Sequence, residues 1–178
     1  NASDIIDLPT NALYVEGSII SRLLMGTVGL QPVRGNRLLV VLGAHDDELF
    51  THAAINAVSA ARASYGLRGA DVVQVSPSVT MKSHFTVSGR AAGRVDSLEP
   101  LWEVLDERSG SYDAVAISSV IDVPTSYHTQ YFEVAGAMVN PWGGVEAMLT
   151  HALSTIYDIP SAHSPMMETQ EIANMDPG

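Results

Sequence analysis

The chain has no cysteine. Disulfides, thiolate nucleophiles, Cys-ligated zinc and iron–sulfur clusters are therefore excluded within it, as are the two-cysteine racemases that also use α/β domains. Positive charge is scarce as well. Only 9 Lys and Arg stand against 20 Asp and Glu, for a formal net charge of -11, and no basic run occurs. A nucleic-acid partner would meet repulsion in place of counterion-release attraction, so none is expected. Long apolar runs are missing too: the stretch from Leu38 to Ala44 is far short of the roughly 20 residues needed to cross a bilayer. No basic-then-apolar leader opens the chain, so a cytoplasmic protein without a membrane partner is expected. Intrinsic disorder is excluded by a hydrophobic content of 46% against 16% charged residues.

What is present fits a single α/β domain over residues 1–178, long enough to hide roughly 70% of its unfolded surface. The chain starts at Asn1 in place of Met and ends at Asp176-Pro177-Gly178. A processed product or a piece of a longer protein is expected, with association to flanking segments, or to further copies in a homo-oligomer, among its partners. Asn1 is a poor terminal nucleophile, because autoprocessing exposes Thr, Ser or Cys.

Helical spacing of Leu13, Ile19, Ile20, Leu23 and Leu24 predicts a helix ending near Gly26. Arg37–Gly43 is a continuous apolar run, the mark of a strand covered on both faces, as in parallel sheets. An Ala-rich helix is expected from Asp47 to Tyr65, and a second strand over Ala70–Val75. Met81–Val87 alternates weakly and suits an additional strand. Ser88–Arg94 carries two glycines and reads as a loop, with Asp96 as N-cap of a helix reaching Glu107. Tyr112–Val123 is the third clear strand, followed by a polar, aromatic loop over Thr125–Tyr131. A helix from Val145 to Tyr157 and a Pro-flanked loop, Ser161–Pro165, complete the order.

Strand–helix alternation of this kind specifies a Rossmann-like, largely parallel sheet with helices on both faces. Ligands of such sheets bind beyond the carboxyl ends of the strands, here Ala44–Glu48, Ser76–Ser78, Pro124–His128 and the loop around His163.

Three sets of residues have chemical potential. Gly43-Ala-His-Asp-Asp-Glu48 follows an apolar strand and resembles the Ala-His-Pro-Asp-Asp-Glu motif of the zinc-dependent N-acetylglucosaminyl-phosphatidylinositol deacetylase-like family. The resemblance implies His45 and Asp47 as zinc ligands and Asp46 as base. Here the proline is missing and each His-to-Asp spacing is one residue short, so no tightly bound zinc is expected. The same acidic residues serve equally as the N-terminal cluster of the following helix. A second set is Glu146, His151 and His163. Glu146 and His151 are five residues apart and do not share a helical face, so they are not expected to pair. His163, between prolines, is expected in a pocket with at least one of Glu16, Arg34, Glu146 or His151. The third set is Arg90 and Arg94 beside glycines, able to cradle an anion or to be an ordinary solvated loop.

Asn11-Ala-Leu-Tyr-Val-Glu-Gly17, Gly29-Leu-Gln-Pro-Val-Arg-Gly-Asn-Arg37, Gly144-Val-Glu-Ala147, Thr150-His151 and Ile159-Pro-Ser-Ala-His-Ser-Pro165 together resemble the domain of unknown function 3326 family. That resemblance spans most of the chain. It implies no activity, but it nominates Asn11, Tyr14, Glu16, Arg34, Asn36, Glu146, His151 and His163.

These features point first to an enzyme of small-molecule metabolism using general acid–base chemistry, a hydrolase or an isomerase/lyase, with no cofactor. His163, His151, Glu146 and Glu16 are the proton-transfer candidates. Arg34, Asn36, Asn11, Tyr14 and Arg90 are the candidates for binding a small-molecule ligand. A metal-dependent hydrolase centred on His45 and Asp47, with zinc, is the first alternative. A non-catalytic ligand-binding or scaffold subunit is the second.

Overall fold

A computed structural model describes residues 15, 17–31, 35–65, 67, 69–134 and 137–175. Its elements run α1 (Gly17–Leu24), β1 (Leu38–Gly43), α2 (Glu48–Tyr65), β2 (Ala70–Val75), β3 (Thr80–Phe85) and β4 (Ala91–Asp96). They continue with α3 (Glu99–Glu107), β5 (Ala114–Asp122), α4 (Thr125–Glu133), α5 (Gly143–Tyr157), β6 (Ser161–Met166) and α6 (Gln170–Ala173).

The three expected strands do lie parallel in one sheet. β1 pairs with β2 on one side and with β5 on the other, Leu38 facing both Ala70 and Ala114. β6 adds in parallel to β5. β3 joins β5 beyond the end of β1, at Met81↔Ile121 and Lys82↔Asp122, and carries β4 as the antiparallel partner.

Continuous hydrophobicity in β1 has the cause expected: alternate residues enter two different cores. Leu39 and Val41 face Leu101 and Leu105 of α3 and Val145, Leu149 and Leu153 of α5. Val40 and Leu42 face the other way, with Met166, and meet Phe50, Ala54 and Val58 of α2. Helices therefore cover both faces, and the fold is α/β with a mostly parallel six-stranded sheet. At the amino ends of β1 and β5, Arg37 grips Asp113 through Nε, Nη2 and its backbone N–H. That fork fixes the register of the two central strands.

Four expectations need correction. Ser88–Arg94 is not one loop: the chain turns at Gly89, with φ +76°, and Ala91 to Arg94 already belong to β4. Gly93 serves close packing, since a Cβ there would lie 2.6 Å from Val145 Cβ. Asp96 ends β4 and pairs with Arg94; α3 starts later, behind Leu98, with a proline in its first turn. Thr125–Tyr131 is helical, because Tyr127/Tyr131 and His128/Phe132 form two i, i+4 aromatic stripes. Finally, Ser161–Pro165 is a strand on the sheet edge, where a proline's missing N–H is tolerated.

Candidate functional site

His163 stands at the centre of a buried polar cluster. β6 runs parallel to β5 with His163 level with Ile117. Side chains of alternate residues on both strands point at α5. α5 runs back against the strands, so its first turn reaches their carboxyl ends. Thus β5 supplies Ser119, β6 supplies His163 and the first turn of α5 supplies Glu146.

The three side chains form a continuous hydrogen-bonded chain. His163 Nδ1 is 3.1 Å from Glu146 Oε1. His163 Nε2 is 3.0 Å from Ser119 Oγ. With a carboxylate at Glu146 and a neutral imidazole, Nδ1–H donates to the carboxylate and Nε2 accepts the Ser119 hydroxyl proton. Ser119 is 1% exposed, and the side chains of His163 and Glu146 are 0% and 24% exposed. Solvent thus reaches this chain from the carboxylate end.

Close packing surrounds the hydroxyl. Gly43, the last residue of β1, abuts Ser119: a Cβ there would lie 3.0 Å from Ser119 Cβ and 2.1 Å from Ser78 Oγ. Gly144 brings α5 down on β4, and a Cβ there would lie 2.1 Å from the Ala91 carbonyl oxygen. Asn140 Oδ1 accepts from the backbone N–H groups of Trp142 and Gly143 and so caps the start of α5. These contacts place Glu146 two residues beyond Gly144.

The other nominated residues fall elsewhere. His151 is exposed and faces α1, its Nε2 3.1 Å from where a Cβ on Gly17 would sit. Asn36 is exposed before β1, at the amino end of the sheet, opposite Ser119. Arg90 is exposed on the β3–β4 turn, where its backbone N–H donates to Thr86 Oγ1. Asn11, Tyr14, Glu16 and Arg34 lie outside the described residues.

Both ring nitrogens of His45 are engaged with backbone. Nδ1 accepts from Asp47 N–H and Nε2 meets the Met167 carbonyl. Asp47 accepts from Leu49 N–H and from Gln170, which together hold its carboxyl below the usual range. Asp47 acts as the first-turn acceptor of α2. Among the described residues no three His, Asp or Glu side chains are grouped to hold a metal ion.

Ser119 escaped the reading of the sequence. Its signal was Ser118-Ser119 inside the apolar run Ala114–Ile121, since a buried serine needs a hydrogen-bond partner.

A second buried histidine, His128 of α4, is 2% exposed and edge-on to Trp142 at 5.0 Å between centroids. Neither ring nitrogen makes a well-aligned hydrogen bond, and the Val123 backbone beside the ring is a weak acceptor at best. Burial pushes its pKa down, opposed by the nearby Val123 backbone and the charge of Glu168.

Among the described residues no helix is long and apolar enough to cross a membrane. No solved structure matches the chain. An uncharacterized lipoprotein of Synechococcus sp. is 27% identical over 160 residues, covering 89% of this chain. The chain spans 44% of that relative's length. The profile of a protein of unknown function (DUF3326) matches residues 1–177, and with that match the chain belongs to the DUF3326 family.

Proposed function

We propose that this chain is a hydrolase that cleaves a small-molecule ester through Ser119, His163 and Glu146. The observation behind this reading is the unbroken Ser–His–carboxylate relay, with spacings of 3.0 and 3.1 Å. Ser119 Oγ attacks the carbonyl carbon while its proton passes to His163 Nε2. The tetrahedral adduct then collapses, and the leaving alkoxide takes that proton. Water repeats the sequence on the acyl-serine, its proton passing through Nε2 back to Ser119. Glu146 holds the ring and stabilises the imidazolium. None of these steps calls on zinc or another cofactor.

Ser119 sits inside a strand and not on an exposed strand-to-helix elbow. Its 1% exposure favours a second reading, in which the relay is a structural strut fixing α5 to the sheet of a non-catalytic subunit. Hydrolysis of an activated p-nitrophenyl ester separates the two. The enzyme reading expects an acyl-enzyme burst, and a loss of about a thousandfold or more in Ser119→Ala and His163→Gln. Equal rates in wild type and folded Ser119→Ala support the strut. The name of the Synechococcus relative argues for a membrane-tethered setting against the cytoplasmic one; cell fractionation decides.

A further inference from the structure

The two faces of the sheet are covered unequally. Among the described residues the core under α3 and α5 holds fifteen buried residues, and the core under α2 holds three, Val40, Leu42 and Met166. Width is the reason. A helix is about 10–12 Å across and strands lie about 4.8 Å apart, so one helix covers about two strands. Four strands, β2-β1-β5-β6, form this face, and among the described residues α2 is the helix packed on it. Arg62 of α2 donates to the Ala70 carbonyl of β2, so that flank of the helix lies over β2. The other flank, with Leu49, Ala53, Ala57 and Ala60, therefore looks over β5 and β6. There Ala162 and Ser164 are exposed, and Ala116 and Ser118 are half-buried. The result is a trough beside α2, one helix wide and floored by small side chains.

α2 itself lacks the charge of a solvent-facing helix. No Asp, Glu, Lys or Arg occurs between Glu48 and Arg62, although the net charge of the chain is -11. An ordinary surface helix carries charged and polar groups on the side away from the core. Here Leu49 is 54% and Ile55 40% exposed, Ala53, Ala57 and Ala60 are exposed, and the Ser59 hydroxyl turns back onto the Ile55 carbonyl. Depletion of charge marks the centre of a protein interface. The edge of β6 is not built to take a further strand. Val115 N–H donates to the Pro160 carbonyl, so the even-numbered residues of β6 bond to β5. Pro165, which has no N–H to offer, then stands on the outer edge.

We propose that the α2 face joins two copies of this chain about a two-fold axis, the α2 of each copy lying in the trough of the other. The patch is self-complementary, as an isologous contact requires: one surface offers both an uncharged helix and a hollow one helix wide. A lone helix from another protein would fill the trough and leave the outer side of α2 bare, whereas a second copy buries both. α2 has 18 residues and is about 27 Å long. A helix top and a trough floor of about 27 by 10 Å on each copy bury roughly 1,100 Å² together, just above the roughly 1,000 Å² that a specific interface needs. The two α2 helices run antiparallel in one layer between the sheets, with Ala57 on the axis and Ala53 across from Ala60. Small side chains allow an axis separation of about 8 Å, which brings the two Ala57 Cα atoms to about 4–6 Å. The Ser119 relay lies on the opposite face of the sheet, and the contact does not depend on it.

The test starts with sedimentation equilibrium of the unmutated chain at about 10–200 μM, the range that an interface of this size calls for. The chain should dimerise. Because each copy carries a net charge of -11, the dimer should tighten by about threefold or more as NaCl rises from about 20 to 300 mM. The chain has no cysteine, so Ala57→Cys gives one thiol per copy. Mild oxidation should link that thiol to its counterpart, while Ser109→Cys, exposed just beyond α3, should stay unlinked. Ala57→Glu sets two carboxylates against each other on the axis. It should leave the chain monomeric over the same range with its circular dichroism spectrum unchanged, because Ala57 is exposed in a single copy. A monomer at about 200 μM in about 300 mM NaCl overturns the proposal. So does a dimer that keeps its affinity in Ala57→Glu and leaves Ala57→Cys unlinked, since another surface then joins the copies.

Discussion

Gly143 and Gly144 are neighbours in the first turn of α5, and the structure gives them opposite fates on substitution by alanine. A Cβ on Gly144 would lie 2.1 Å from the Ala91 carbonyl oxygen, 2.6 Å from its carbon and 3.1 Å from Ala92 N. These are backbone atoms of β4 and cannot swing aside. Taking a close carbon–oxygen contact as about 3.3 Å, α5 would have to lift by about 1.2 Å. Overpacking of that kind costs about 2–3 kcal/mol, against a helix-propensity gain of up to about 1 kcal/mol. The net loss is about 1–3 kcal/mol, or a Tm lower by roughly 2–12 °C for a chain of this size. A Cβ on Gly143 meets nothing nearer than Asn140 at 3.9 Å. There only the propensity gain remains, worth up to about 1 kcal/mol, so Tm should hold or rise by up to roughly 4 °C. Paired thermal melts followed by circular dichroism read both. If Gly144→Ala matches or exceeds Gly143→Ala in Tm, the close approach of α5 to β4 is wrong. The placement of Glu146 would then lose its support.

Three further predictions follow from charge and burial. The Asp113 carboxyl is held down to about 2 by its hydrogen bonds with Arg37. Its contribution to stability is full above the ordinary value of 3.8 and is lost as pH falls from there towards 2. Asp113→Asn should remove that segment of the acid-unfolding profile, and an unchanged profile would refute the pairing. His128 behaves in the opposite sense to a histidine that gains a partner: burial lowers its pKa, so stability declines as pH drops below 6.5. His128→Phe should flatten that decline; urea titrations at two pH values on either side are the check. The Tyr157 phenol is pushed up to about 12 by burial and by Asp106. Absorbance titration should show one tyrosine ionising late, and Tyr157→Phe should remove that late component.

The central sheet was legible because its strands bury both faces, which writes an unbroken apolar run such as Leu38–Gly43 into the sequence. His163 and Glu146 were legible as chemistry, and their side chains meet at 3.1 Å with the His163 side chain fully buried. The strand carrying His163 was not. Ser161-Ala-His-Ser-Pro-Met166 has small residues and a proline, and an edge strand needs only one hydrogen-bonded side to form. Ser119 was hidden for a different reason. A hydroxyl inside a buried strand leaves no periodic mark, and its partner is 44 residues away in the chain. α4 lacked the aliphatic spacing that marks a helix, because aromatic rings make its contacts instead.

The central claim is that His163 Nε2 accepts the Ser119 proton while Nδ1–H donates to Glu146. Long-range proton–nitrogen correlation NMR on the 15N-histidine-labelled chain reads this without any substrate. The account predicts that His163 is the Nδ1–H tautomer, with a slowly exchanging Nδ1 proton that is lost in Glu146→Gln. An Nε2–H tautomer at His163, its proton indifferent to Glu146→Gln, would contradict it.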